Sequence, residues 1–111
     1  MSAQETTNKE ETYRLDLHGA FVRRTDLSHA NLNEANLSEA DFSGAIFRGA
    51  NLKGANLFRT VLKSADLRDV QNLTLEQLSE AIIDDQTLLP DYIVRSKIKP
   101  DVARKSRKRR Q

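Results

Sequence analysis

Between Leu15 and Asp69 the large apolar residues return at every fifth position: Leu17, Val22, Leu27, Leu32, Leu37, Phe42, Phe47, Leu52, Leu57, Leu62 and Leu67. Neither regular element buries such a set. On an α-helix a step of five residues rotates by about 500°, so the apolar positions would wander around the cylinder. On a continuous strand they would alternate between faces. The chain must therefore turn once per five residues. The position two before each large residue is small, with Ala20, Ala30, Ala35, Ala40, Ala45, Ala50, Ala55 and Ala65 joined by Thr25 and Thr60, and only Leu15 departs. A large and a small inward residue per unit would fill a narrow interior without voids. The fourth and fifth positions are polar, small or charged and include Gly19, Gly44, Gly49 and Gly54. Glycine suits a turn that requires positive φ. A fixed short period of this kind predicts a solenoid in which each coil buries its face on the next.

The pattern stops after Asp69. Val70 can open a twelfth unit, but Asn72 stands where a large apolar residue is needed. Thr74-Leu75-Glu76-Gln77 then reads as a capping box. Leu75, Leu78 and Ile82, with Ala81 beside them, predict a short helix over 75–83 laid across the last coil. An open coil exposes core and unpaired edges, so such an end is needed. Leu88, Leu89, Tyr92, Ile93 and Ile98 extend the cover, limited by Pro90 and Pro100. The expected organisation is a disordered or lead-in segment over 1–14, the repeats over 15–73, a capping helix and covering segment over 74–94, and a basic flexible tail over 95–111. The lead-in carries Glu5, Glu10 and Glu11 with little to bury. Tyr13 and the bulky Leu15 are its candidates for covering the first coil.

The units ANLNE, ANLSE, ADFSG, ANLKG, ANLFR and ADLRD resemble the pentapeptide-repeat family, whose consensus is A-(N/D)-L-X-X. Eleven consecutive units cover about half of the chain. That resemblance implies an all-β solenoid, a right-handed quadrilateral β-helix of about eleven pentapeptides with four per coil, followed by a short C-terminal capping helix. Segments like LT-x-EQL, here Leu73 to Leu78, and LPDY, here Leu89 to Tyr92, follow the repeats in that family. Fewer than three full coils make a short example. Burial of the central residues alone does not offset the ordering of the chain, so the C-terminal cap or self-association must contribute.

Composition narrows the function. There is no cysteine, so disulfides, thiolate metal ligands and thiol nucleophiles are excluded. No apolar run reaches the length of a transmembrane segment. The first residues lack the basic and apolar regions of a signal peptide, so a cytoplasmic protein is expected. His18 and His29 are expected on opposite faces, without neighbours at metal-ligand spacing. No phosphate loop or dinucleotide fingerprint appears. No catalytic residues, metal or cofactor are expected, and the chain does not read as an enzyme.

Two surfaces remain as candidates. Four pentads per coil would stack Phe21, Asp41 and Val61 on one face, place Ile46 between Asp26 and Asp66 on the next, and put Phe58 above His18 and Ser38. Phe21, Ile46, Val61 and Phe58 are the apolar outward positions and the candidate protein interface. The second surface is basic. From Tyr92 onward nine Lys and Arg face only Asp101, a net +8, although the whole chain carries +2. Arg104, Lys105, Arg107, Lys108, Arg109 and Arg110 suit salt-sensitive contact with nucleic acid or another anionic surface, or simply solubilise the chain. The leading expectation is a non-catalytic scaffold for protein–protein interaction. The alternative is a nucleic-acid-associated protein tethered by the tail. Some members of the family inhibit DNA gyrase as long, dimeric, acidic mimics of DNA. The repeats here carry seven bases against seven acids, which disfavours a DNA-mimic topoisomerase modulator.

Overall fold

The computed structural model describes residues 14–98. The lead-in with Tyr13, and the basic residues over 104–110, lie outside the described residues. Parallel bridges join residues twenty apart: Asp16 to Asn36 to Asn56, Phe21 to Asp41 to Val61, Asp26 to Ile46 to Asp66, and Asn31 to Asn51 to Gln71. Four pentads therefore make one coil, and the four ladders define four sides. The first coil spans 15–34, the second 35–54, and the third begins at Ala55. Sides one to four begin in the first coil at Leu15, Ala20, Thr25 and Ala30.

Each pentad contributes a single bridged residue, because the chain turns again before a longer strand can form. The second residue donates its N–H to the coil beneath, as Asp41 does to Ala20 O at 2.8 Å. The third donates to the coil above, as Val22 does to Asp41 O at 2.8 Å. A turn closes each corner, Ala20 N–H donating to Leu17 O at 2.9 Å. At all eleven corners the fifth residue has positive φ, between 55° and 75°, the feature that a type II turn requires. Glycine fills only four of them. Arg24, His29, Glu34, Glu39, Arg59, Ser64 and Asp69 adopt the same conformation, although it costs a residue with a Cβ about 1 kcal/mol or more. Gly49 and Gly54 have a second reason to be glycine. A Cβ there would collide with the His29 imidazole and the Glu34 carboxylate, which lean across from the corner beneath.

The Asn and Asp at the second position are explained by the same corners. At Asp16, Asp26, Asn31, Asn36, Asp41, Asn51, Asn56 and Asp66 the side-chain Oδ1 accepts the backbone N–H of the residue two further on, at 3.0–3.1 Å. This Asx bond satisfies a donor that the ladder does not reach. Inside, the central residues of the second and third coils are buried, and Phe42 meets Phe47 edge to face at 5.4 Å.

After Gln71 the register changes. Asn72 takes φ 64° two residues before the next corner is due, and its amide donates to Asn51 Oδ1 at 3.0 Å. Leu73 rather than residue 72 then enters the core. Helix α1 spans Leu75–Glu80, with both capping-box bonds between Thr74 and Gln77. It is shorter than the sequence suggests. Ile82 leaves it to bridge Val61, donating to Thr60 O and accepting from Leu62 N–H, both at 2.8 Å. A longer helix would forfeit those bonds. Leu75, expected in the buried stripe, is exposed, whereas Leu78 and Ala81 are buried. Leu88 bridges Asp66 in the same way. The segment thus adds two sides of a fourth coil. Tyr92 ties it down, its hydroxyl donating to Val70 O at 2.6 Å and accepting from Leu73 N–H at 3.2 Å. A short 3-10 helix, Arg95–Lys97, follows, and the Arg95 guanidinium donates to the carbonyls of Asp84 and Thr87.

Candidate interaction face

The ladders place the four apolar candidates on three sides. Phe21 and Val61 share side two, separated by Asp41, while Ile46 lies on side three and Phe58 on side one. They do not form one patch. Val61 is half-buried between Asp41 and Ile82, so its apolar character serves the joint with the cap. Ile46 is 38% exposed, Phe58 49% and Phe21 75%. Phe21 is the extreme case, and it stands at a second position, where Asn or Asp would close an Asx bond. Phenylalanine forgoes that bond and leaves a ring in water.

Side two has a second element. The Arg23 guanidinium lies 5.6 Å from the Phe21 ring centroid, a cation–π arrangement, and its Nε is 3.8 Å from Asp41 Oδ2. The twenty-residue register stacks Arg23, Ser43 and Lys63 in one column, and Arg24, Gly44 and Ser64 line the adjacent corner. A shallow depression joins these groups to Asp84. The Ser43 hydroxyl and N–H, with Arg23 and Lys63 adding to them, hold the Asp41 carboxyl below its ordinary pKa. Face two therefore offers an exposed ring, three cationic side chains and an ionised carboxylate. Sequence reasoning finds Phe21 and passes over Arg23. Their spacing of two was the available signal, since both positions point outward.

The other sides are occupied by their own pairs. On side three Arg48 meets Asp69 at 2.7 Å and Arg68 meets Asp66 at 2.8 Å. On side one His18 Nδ1 lies 2.8 Å from Ser38 Oγ. That hydroxyl donates to Asn36 Oδ1 at 2.7 Å, so the imidazole is left to donate to Ser38, the reverse of what activates a serine. The pair closes a corner. The basic positions Arg104, Lys105, Arg107, Lys108, Arg109 and Arg110 lie outside the described residues.

A family model described as pentapeptide repeats matches residues 14–49 and 35–71 with eight copies, together more than half of the chain. The chain belongs to the pentapeptide-repeat family. That membership implies a right-handed quadrilateral β-helix for the repeat region, consistent with the four ladders. A solved pentapeptide-repeat protein, Rfr23 from the cyanobacterium Cyanothece 51142, is 35% identical with a TM-score of 0.62, over 68% of this chain and 51% of its own. The present chain thus spans about half the length of that relative. A second, alr5209 from Nostoc Pcc 7120, is 25% identical with a TM-score of 0.31, over 91% of this chain and 94% of its own. No curated protein matches. Among the described residues no helix is long and apolar enough to cross a membrane.

Proposed function

We propose that this pentapeptide-repeat protein is a non-catalytic scaffold that docks another protein on side two, with Phe21 as the anchor. The observation that carries this reading is the placement of a 75% exposed phenylalanine at a position where the fold rewards Asn or Asp. Within the coil the ring gains only the exposed Arg23 contact, and a partner that covers the ring would recover the lost apolar burial. Arg23, Arg24 and Lys63 would orient a partner that presents carboxylates around an apolar contact. Ile46 and Phe58, exposed on the neighbouring sides, extend the reading to a partner that wraps a corner.

The test is Phe21→Asn, which removes the ring and restores the Asx acceptor. Stability should hold or rise by about 0.5–1 kcal/mol, the worth of an ordinary hydrogen bond. Recovery of a co-purifying partner should fall at least tenfold. Unchanged recovery with an intact fold would assign Phe21 no role in docking.

A further inference from the structure

The two ends of the solenoid differ. The last coil is closed by the segment that contains α1, Ile82, Leu88 and Tyr92. The first coil is bare among the described residues. In the second coil the amides of Asp41, Ile46 and Asn51 donate to Ala20, Thr25 and Ala30 beneath them, and their carbonyls accept from Val22, Leu27 and Leu32. The equivalent amides and carbonyls of Phe21, Asp26 and Asn31 meet no partner among the described residues. Beside this edge the core is incompletely covered. Leu15 is 43% exposed, and Leu17, Val22 and Leu27 are half-buried, whereas Leu37, Phe42 and Phe47 above them are at most 1% exposed. Unpaired edge groups beside apolar surface form a template for another edge.

We infer that the first coil is a self-association face, occupied by the same end of a second copy of this chain. The chain's own first residues are poor candidates to continue the core. Carried backward, the pentad register puts Glu5 and Glu10 at the inward first position and Ser2, Thr7 and Thr12 at the central one. Burying those carboxylates would cost far more than the edge returns. At the far end α1 lies over side one and Tyr92 over side four in place of a full coil, so that edge does not match the first coil on all four sides, and the first coil meets its like. Two identical ends related by a two-fold axis bring their edges together antiparallel, each copy supplying donors and acceptors, and the assembly stops at two. A coil of twenty residues sits at the bottom of the roughly 20–30 residues per partner of a standard interface. The pair is a small interface, and its population is read by dilution.

Sedimentation velocity on the full chain from micromolar to several hundred micromolar tests this. The expected result is a concentration-dependent monomer–dimer equilibrium that goes no further. Leu15→Lys places charge on the bare rim, and Asp26→Pro removes an edge donor. Each should weaken the dimer at least tenfold. Leu15→Lys alone decides the matter if the proline variant does not fold, since an exposed rim side chain is not needed by the monomer.

Orientation is read separately. The chain has no native cysteine, so a spin label on Ser28→Cys or on Arg68→Cys reports one column of side three, two coils apart. The Ser28 pair should be the closer, by roughly 19 Å along the axis at about 4.8 Å per coil in each copy. A monomer at every concentration, a dimer indifferent to Leu15→Lys, or a closer Arg68 pair would each overturn the inference. The first of these includes the case in which residues 1–13 cover the coil from within the same chain.

Discussion

At the second position of the pentad asparagine and aspartate close the same Asx bond and differ in acid. Asn31, Asn36, Asn51 and Asn56 make the same Asx bond as Asp16, Asp26, Asp41 and Asp66. The Ser28 hydroxyl lowers the pKa of Asp26, the Ser43 hydroxyl that of Asp41, and the Arg68 guanidinium that of Asp66. A carboxyl whose folded pKa is depressed stabilises the fold fully above its unfolded value of about 3.9 and loses that contribution as pH falls through the lower folded value. Stability should therefore decline below about pH 4. The triple variant Asp26→Asn, Asp41→Asn, Asp66→Asn keeps every Oδ1 acceptor but gives up the carboxylate charge, including the Asp66 Oδ2 that accepts from Arg68. It should be less stable than the parent at pH 7 and should lose less between pH 7 and pH 3, as read from urea midpoints. An equal loss in both proteins would place the acid sensitivity elsewhere. These roles are only half legible in the sequence. The preference for Asn or Asp is plain on inspection, but its cause is a local hydrogen bond that no periodicity displays. The left-handed corners at Arg24, His29 and Glu34 are likewise invisible, because a side chain says nothing of the φ that a closed coil imposes on it.

At the scale of elements the cap shows where pattern reading succeeds and stops. The capping box is a short-range signature, and Thr74 and Gln77 form it as written. The end of α1 is decided by Ile82, whose partner Val61 lies twenty-one residues away, and a helical spacing of apolar residues cannot anticipate that competition. Gln77 carries more than its motif requires. Its Oε1 accepts the Thr74 N–H at 2.8 Å, while its Nε2 donates to Leu52 O at 2.9 Å and Ala55 O at 3.0 Å. A capping box accepts Glu as readily as Gln, but Glu cannot donate to those two carbonyls. Gln77→Glu should therefore destabilise the protein by about 1–3 kcal/mol, the cost of leaving part-buried acceptors opposite a carboxylate. Thermal unfolding that matched the parent would confine Gln77 to the box. The residue is a rivet between helix and coil, and only its cap role can be read from four letters.

For the whole molecule the period of five and the break at Asn72 suffice to lay out the repeats, and the twenty-residue register sorts the outward residues onto sides. That register already puts Phe21 with Val61, Ile46 and Phe58 on three different sides, as the ladders have them. What the sequence withholds is their exposure and the approach of Arg23 to the Phe21 ring, which leave Phe21 with Arg23 as the coherent pair. The basic stretch is a matter of sequence alone. If it tethers nucleic acid, the full chain should bind labelled duplex DNA or RNA with an affinity that falls steeply between 50 and about 200 mM salt, as phosphate contacts do. A chain ending at Pro100 should then lose that binding, and equal anisotropy for both proteins across the salt series would leave the stretch without that role. The uniform ladder spacing has a further consequence for how such a chain can change its length. Excising residues 35–54 would bring each later residue down one storey on its own side, with Phe58 directly above His18. Removing a single pentad would rotate everything downstream by a quarter turn and set the cap against the wrong wall. Gains and losses of twenty residues should therefore be nearly silent in this architecture, while those of five redraw every face.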